Sequence, residues 1–299
     1  MSAVSPMASA AQARPAVGRR GFSLGSLWTL YTLTLRQHRH GKRWIVMAIL
    51  MLLPAALAVL VRCTARDAPS IVLEFLFVFM FIPQALLPLA ALIYASGIIH
   101  DELEEQTFTY LLIRPIPKWA IYLVKLLATA TVAIILTAIF TALAYAAIYL
   151  GADPNGHDIL LRCLAACCIH SLAVLTYCCL FGLISLFTAR ILIVGIIYIA
   201  VVEGLFANLD FGIRLLTVIY YTRLIAYHTM PFMVRTPYGT QDFAAETWQL
   251  DIASDPKLLQ HPQVMTCLIV LLAASAVCAA IAAFLCSRRE FHVKTPEKT

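Results

Sequence analysis

Six stretches of this sequence are strongly apolar over about 20 residues or more, the length of helix that crosses the hydrocarbon core of a bilayer. Hydrophobic residues make up 62% of the chain and charged residues 13%, whereas a soluble domain carries about 25% charged residues. The stretches are too long for barrel strands and show no strict alternation. We therefore predict an all-α, polytopic integral membrane protein. Its spans are expected at residues 44–61, 71–99, 119–150, 160–188, 191–209 and 264–286.

The distribution of Lys and Arg indicates how the spans are oriented. The stretch before residue 44 carries several Arg and Lys and no acid, and the tail after Cys286 is also basic. Cytoplasmic flanks are enriched in these residues, and an even number of spans places both ends on one side. We therefore expect both termini in the cytoplasm of a multi-pass protein in the cell (inner or plasma) membrane. The expected domains are a basic tail with an interfacial helix at 1–43, a transmembrane domain at 44–286 with an outer segment at 210–263, and a cytoplasmic tail at 287–299.

Apolar residues recur at helical spacing ahead of the first span, and basic residues follow them. The stripe consists of Leu24, Leu27, Trp28, Tyr31 and Leu35. This pattern predicts an amphipathic helix on the cytoplasmic leaflet, where its basic end would contact anionic membrane lipids. A plain basic flank that fixes the topology would explain the charges equally well, but it would not explain the stripe.

Two further segments differ from a simple span. Pro83 and Pro88 fall inside the second span, where proline removes a backbone donor, so we expect a bend there. Residues 210–228 are apolar but are interrupted by Arg214 and Arg223. A seventh span would also place the basic C-terminal tail outside. We predict a re-entrant or interfacial helix after the fifth span instead.

Ionisable residues inside membrane spans are costly and are often functional. Glu74 lies near the outer start of the second span, Glu203 lies in the outer part of the fifth, and Arg214 follows it. We expect Glu203 to pair with Arg214 or to face a central cavity. The alternative is that Glu203 lies close enough to the interface to be hydrated.

The fourth span contains a Cys and His pattern that resembles a soft-metal site. Cys163, Cys167 and His170 are spaced four and three residues apart, on one helical face. Cys is also a common small packing residue in membrane helices, and a His can hydrogen-bond a neighbouring helix. Packing is the favoured interpretation, so we expect no metal, and the nine cysteines do not indicate a disulfide framework.

The connection between the second and third spans differs from the other cytoplasmic segments. It runs from Gly97 to Trp119 and clusters acids where basic residues are the rule. The pattern predicts a short amphipathic helix with its acids in the first turns, where the helix dipole favours them, and with Pro115 and Pro117 ending it. Because two spans hold its ends, this helix is suited to docking a soluble partner. The alternative is a solvated cap on a long helix.

The run YASGIIHDELEEQTFTYLLIRPIPKWAIYLVK resembles the signature of the membrane subunits of type-2 ABC transporters. The matching positions are Gly97, Glu102, Glu104, Thr107, Leu111, Leu112, Arg114, Pro115 and Lys125. A second run, VEGLFANLDFGIRLLTVIYYTR, is similar to the segment after the fifth span in a bacterial branch of that family. The resemblance covers most of the chain from Trp28 onward. It implies that the acidic segment is the coupling helix, with partner contacts from Asp101, Glu102, Glu104, Glu105, Thr107, Leu111, Arg114 and Pro115.

The sequence contains no phosphate-binding loop of the G-x-x-x-x-G-K-[ST] type. Arg43 follows the Gly41–Lys42 pair, and Arg36 stands where the first glycine would be. The resemblance therefore implies a separate ATP-binding subunit that carries ATP and Mg, a homodimer or a pairing with a paralogous permease, and export as the direction. No nucleic-acid partner is expected. A membrane scaffold or assembly factor that docks another soluble protein through the acidic segment remains the alternative; no intramembrane catalytic constellation indicates an enzyme.

Overall fold

The computed structural model describes residues 24–41, 43–65, 68–98, 117–150, 156–188, 190–209, 212–236, 239–248 and 262–288. Within these residues, six helices are long and apolar enough to cross a membrane. The helices in chain order are α1 Leu24–His40, α2 Arg43–Thr64, α3 Ser70–Ala95, α4 Lys118–Ile148, α5 Gly156–Phe187, α6 Ile191–Asn208, α7 Val218–Thr229, α8 Phe243–Trp248 and α9 Val264–Arg288. The six spans are α2 to α6 and α9, and each begins and ends within a few residues of its predicted limits, which confirms the all-α polytopic class.

Helix α3 changes its hydrogen-bonding pattern along its length. It is α-helical over Ser70–Glu74, π-helical over Phe75–Leu86 and α-helical again over Leu87–Ala95. Pro83, which has no amide hydrogen, lies within the π-helical stretch, and irregular helix types in membrane helices commonly surround such residues. We expected a bend from the two prolines; the structure shows a change of helix type around the first of them.

Four helix ends meet at one end of the bundle, which we call the Lys118 end. Cys286 in the last turn of α9 lies with its Sγ 3.7 Å from the Lys118 carbonyl at the start of α4. Arg43 at the start of α2 interacts electrostatically with Tyr94 near the end of α3. The first and last spans therefore begin and end on the same side of the bundle, as an even number of spans requires.

The opposite end, which we call the Glu74 end, is held by an arginine at the end of α2. Arg62 donates from Nε to the Ile148 carbonyl at the end of α4 (2.8 Å) and from Nη1 to the Ala68 carbonyl (3.0 Å). Its Nη2 also bonds Ser70 Oγ at the start of α3. One side chain thus satisfies a helix-terminal carbonyl and links three spans.

The helix predicted ahead of the first span is present as α1, and it packs against α4. His38 Nε2 lies 3.0 Å from Thr129 Oγ1, and Tyr31 donates its hydroxyl to Thr131 Oγ1 at 3.2 Å. The exposed Trp28 ring stacks on Tyr31, with 5.6 Å between the ring centres. The apolar residues of α1 are therefore divided between a contact with α4 and an exposed surface, and the location of α1 on the cytoplasmic leaflet stays a prediction.

Helix α7 follows the fifth span, where we predicted a re-entrant or an interfacial helix. After a 3₁₀ turn at Gly212–Leu216, Thr217 caps α7 by accepting a hydrogen bond from the Tyr220 amide. The helix has 12 residues, about 18 Å, which is too short to cross a bilayer. Most of its residues are buried against the spans. Burial against the spans favours a re-entrant helix over an interfacial one, and the Pro231 carbonyl just after α7 accepts a hydrogen bond from Arg162 at the Glu74 end.

A short β-hairpin lies in the segment between α7 and α9, where the sequence predicted no strand. Met233–Thr236 pairs antiparallel with Gly239–Asp242, and α8 follows directly. The Trp248 ring at the end of α8 packs 4.9 Å from the Phe75 ring, and its indole nitrogen lies 2.9 Å from Met80 Sδ. The outer segment is therefore attached to the π-helical face of α3.

Candidate functional site

The two ends of the acidic segment are held together at the Lys118 end of the bundle. Lys125 Nζ in α4 donates to the carbonyl of Ile98, 3.3 Å away and just after the end of α3. Lys125 is buried, although a lysine in a membrane protein normally extends its amine to water. Pro117, in an extended conformation, caps the start of α4. A side-chain contact therefore links α4 to the chain just after the end of α3, next to the acidic segment.

The eight residues predicted to contact a partner lie between these anchors, outside the described residues. They are Asp101, Glu102, Glu104, Glu105, Thr107, Leu111, Arg114 and Pro115. Their role as a coupling helix remains a prediction.

Glu74 is the centre of a buried polar cluster at the opposite end. Arg162 Nε in α5 lies 3.0 Å from Glu74 Oε1 and 3.1 Å from Oε2. The hydroxyls of Tyr145 and Tyr149 donate to the two oxygens at 2.7 and 2.6 Å. The carboxylate is fully buried, so the ion pair and two phenol donors together replace its hydration. Burial and the nearby Glu74 carboxylate raise the pKa of Tyr149, which keeps this phenol a neutral donor.

Arg162 extends this cluster to the outer segment. Its Nη1 donates to the Pro231 carbonyl at 3.2 Å, and its guanidinium carbon lies 5.5 Å from the centre of the Phe232 ring. Arg162 was not among the site residues predicted from the sequence. The available signal was an arginine just inside the fourth span at the same expected depth as Glu74. Tyr145 and Tyr149, which aromatic belts would have explained, are ligands of the carboxylate instead.

Glu203 caps the re-entrant helix rather than pairing with Arg214. Its oxygens accept hydrogen bonds from the backbone amides of Val218 and Ile219, each at 3.1 Å, and from the Tyr198 hydroxyl at 3.2 Å. The side chain is fully buried, so it is not the hydrated interfacial group of our alternative. The reason is local: free amides at a helix N-terminus satisfy a carboxylate without requiring a counter-ion.

Arg214 takes a different position from the one expected. Its guanidinium carbon lies 5.1 Å from the centre of the Tyr220 ring, an aromatic face that stabilises a cation. Its backbone carbonyl accepts the Thr217 hydroxyl at 2.8 Å and so helps to form the turn before α7. Glu203 and Arg214 both stabilise the start of α7, but they do so through separate contacts.

Arg223 is a buried cation within α7, and its presence in the sequence had indicated only that this segment is not a seventh span. Its Nη1 donates to Asn208 Oδ1 at 3.0 Å and its Nη2 to Gln84 Oε1 at 3.5 Å. Gln84 lies in the π-helical stretch of α3. This pairing of two neutral amides with a guanidinium joins α3, α6 and α7.

The three metal candidates do not form one site. His170 Nδ1 lies 3.0 Å from Thr141 Oγ1, and its ring is 5.9 Å from the Phe79 ring. Cys163 and Cys167 interact with each other, and Cys167 Sγ also lies 3.7 Å from the Ala138 carbonyl. Across the described part of the chain, no group of three or more His, Cys, Asp or Glu side chains is arranged to hold a metal ion. Their contacts are those of packing residues.

The family of the chain follows from comparison with known sequences. A family model described as ABC-2 family transporter protein matches residues 35–207, more than half of the chain. The chain belongs to this ABC-2 transporter family. The match includes α2 to α6 and the acidic segment, and it agrees with the resemblance noted in that segment. A search of curated proteins gives no match.

Membership of this family shows which class of protein this ABC-2 permease is. It is a multi-pass membrane subunit of an ABC transporter, and subunits of this family do not themselves hydrolyse ATP. The matched region ends at residue 207. The capping of α7 by Glu203 therefore joins the matched region to the part of the ABC-2 permease beyond it.

Proposed function

We propose that this permease is the membrane half of an ATP-driven exporter in the cell (inner or plasma) membrane. A separate ATP-binding subunit, which carries ATP and Mg, would dock on the acidic segment between α3 and α4. The two membrane halves would be two copies of this chain or one copy with a paralogous permease. The family match supports the transporter role, and the basic flanks support a cytoplasmic location for the acidic segment.

The observation that carries this proposal is the bond between Lys125 and Ile98. Hydrolysis on a separate subunit does mechanical work on a permease only if the docking segment is tied to the spans. The Lys125 amine is 3.3 Å from the Ile98 carbonyl and is 4% exposed, so this contact is protected from competition with water. A force applied to the segment would therefore move α3 and α4 together.

The exposed surface of α6 supports a second membrane half. Leu192, Ile193, Ile196 and Ile197 all point away from the bundle, although α6 carries the buried Glu203 on its inner side. A span with one apolar outer face can pack against lipid or against another helix. In the proposed exporter, part of this face would contact the second permease half.

Purification of the tagged, full-length chain from its native membranes tests the proposal. We expect a protein with a G-x-x-x-x-G-K-[ST] loop to co-purify in a fixed ratio, and the complex to hydrolyse ATP in proteoliposomes. Glu246→Lys, an exposed acid of α8 on the outer segment, should leave this association unchanged and serves as the control. Stoichiometric recovery of a soluble protein without such a loop would contradict the exporter and favour the scaffold alternative.

A further inference from the structure

An open groove runs along the π-helical stretch of α3. It has a volume of about 520 Å³ and is lined by Leu76, Phe77, Met80, Phe81, Gln84 and Ala85. Five of these side chains are apolar, so the groove would accept an acyl chain or another flexible apolar body. Gln84 is the one polar group of the lining.

Gln84 connects the groove to a buried positive charge. Its Oε1 lies 3.5 Å from Arg223 Nη2, and Arg223 is only 7% exposed. A guanidinium keeps its proton at any physiological pH, even in an apolar environment. The floor of the groove therefore consists of a neutral amide with a permanent cation directly behind it.

The cation has no carboxylate partner at ion-pair distance within the described residues. The hydrogen-bond acceptors of Arg223 are the amide oxygens of Asn208 and Gln84. Glu203 contributes to the electrostatic environment of Arg223, but its oxygens are bound by the amides at the start of α7. The other buried ion pair shows the contrast: Arg162 contacts both oxygens of Glu74. Ionisable side chains buried in membrane proteins commonly mark a substrate or ion pathway.

We propose that this groove binds an amphiphile with an anionic head group, with its apolar body against α3 and its head group at Gln84 and Arg223. An anionic oxygen that displaces Gln84 Oε1 would give Arg223 a charged acceptor in place of a neutral amide oxygen, and so would add an ion pair to the hydrogen bond. The freed Gln84 amide would then donate a second hydrogen bond to the head group. This inference rests on the proposed function, because it names the class of cargo that the permease would move.

Binding measured on the full-length chain alone tests the site independently of any ATP-binding subunit. Labelled phosphatidylglycerol serves as the anionic probe, and phosphatidylcholine, which has similar chains and no net charge, is the comparison. We expect the wild-type chain in nanodiscs to prefer phosphatidylglycerol by about tenfold, the value of one charge-assisted hydrogen bond. A wild-type chain without this preference would overturn the proposal.

Two variants test whether the preference for phosphatidylglycerol depends on Gln84 and Arg223. Gln84→Glu is isosteric and places a carboxylate beside Arg223, so the preference should be lost while the fold is kept. Arg223→Gln should have the same effect by removing the cation. The control is Arg190→Gln, which removes an exposed cation near the Lys118 end and should leave the preference unchanged. A preference that survives in Gln84→Glu, or that is lost in Arg190→Gln, would contradict the site.

A second copy of the chain is the competing occupant of the groove. Ala85→Cys, at an exposed position in the lining, distinguishes the two. Reaction of this thiol with a membrane-soluble maleimide, slowed by phosphatidylglycerol, supports the amphiphile. A disulfide-linked dimer through residue 85 would overturn the proposal. Loss of ATP-binding association with binding intact would instead count against the proposed function and leave the site standing.

Discussion

Arg162 Nε lies within 3.1 Å of both carboxylate oxygens of Glu74 and joins α5 to α3 at the Glu74 end of the bundle. The same guanidinium reaches the Pro231 carbonyl, so the ion pair also holds the outer segment against the spans. In such a pair each side chain compensates the buried charge of the other. Removal of one partner therefore leaves the other charge buried and uncompensated.

Breaking this pair should therefore be costly and non-additive. Arg162→Met is expected to reduce the free energy of unfolding by about 3–5 kcal/mol, seen as a lower midpoint of thermal unfolding in detergent. The double variant Glu74→Gln with Arg162→Met should be less destabilised than the sum of the single variants, because it leaves no uncompensated buried charge. Arg190→Met, at an exposed site, is the control. Additive losses would contradict the direct pairing.

The capping role of Glu203 predicts a local effect at the start of α7. In Glu203→Gln only one side-chain oxygen remains to accept from the amides of Val218 and Ile219. We expect these amides to exchange hydrogen about ten- to a hundredfold faster, since a hydrogen bond to a charged group contributes about 1.5–3 kcal/mol. Hydrogen-exchange mass spectrometry gives the measurement, and Glu246→Gln is the exposed control. If the Val218 and Ile219 amides exchange hydrogen as fast in the variant as in the wild type, Glu203 does not cap α7.

Gly195 marks a close approach between α6 and α3. A Cβ atom there would lie 2.2 Å from Leu92 Cδ1, whose side chain is fully buried. Gly195→Ala should thus destabilise the chain by about 1–3 kcal/mol through overpacking, and Leu92→Ala should recover part of the loss. Gly204→Ala in the same span is the matched control, because its nearest neighbour is Ile199 O at 3.5 Å. Equal thermal midpoints for the two alanine variants would show that the approach is not as tight as described.

Lys125 should anchor the end of α3 beside the acidic segment. Lys125→Met keeps the aliphatic stem and removes the donor to Ile98, so backbone exchange in the last turn of α3 should rise by about tenfold or more. The comparison is Lys118→Met, which removes a positive charge from the same helix and leaves the Ile98 bond in place. If both variants exchange like the wild type, α3 and α4 are not held through this contact.

The spans could be predicted because their signal is the length of an apolar run, which needs no knowledge of neighbours. The contacts between spans could not be predicted in this way. Nothing in the sequence says that α3 lies beside α5, so Glu74 was found and its partner Arg162 was not. The same limit explains Glu203: Arg214 was the obvious partner by charge, whereas backbone amides of a helix N-terminus are invisible in a list of residue types.

The position of the helix after the fifth span was also difficult to predict from the sequence. Arg214 and Arg223 made 210–228 too polar for a span, and this correctly excluded one. The choice between an interfacial and a buried helix depended on groups that accept those charges, namely the Tyr220 ring and the amides of Asn208 and Gln84. The hairpin after α7 was missed because its strands have four residues each, too few for an alternating pattern to emerge.

The charge of the acidic segment provides the most direct test of the account. In Glu102→Lys with Glu104→Lys, the amount of ATP-binding subunit recovered with the full-length chain and the ATP hydrolysis of the complex are measured against wild type and the Glu246→Lys control. We predict that the double variant reaches the membrane at normal levels but loses most of the subunit and its hydrolysis. Wild-type recovery and hydrolysis in the double variant would contradict docking through this segment.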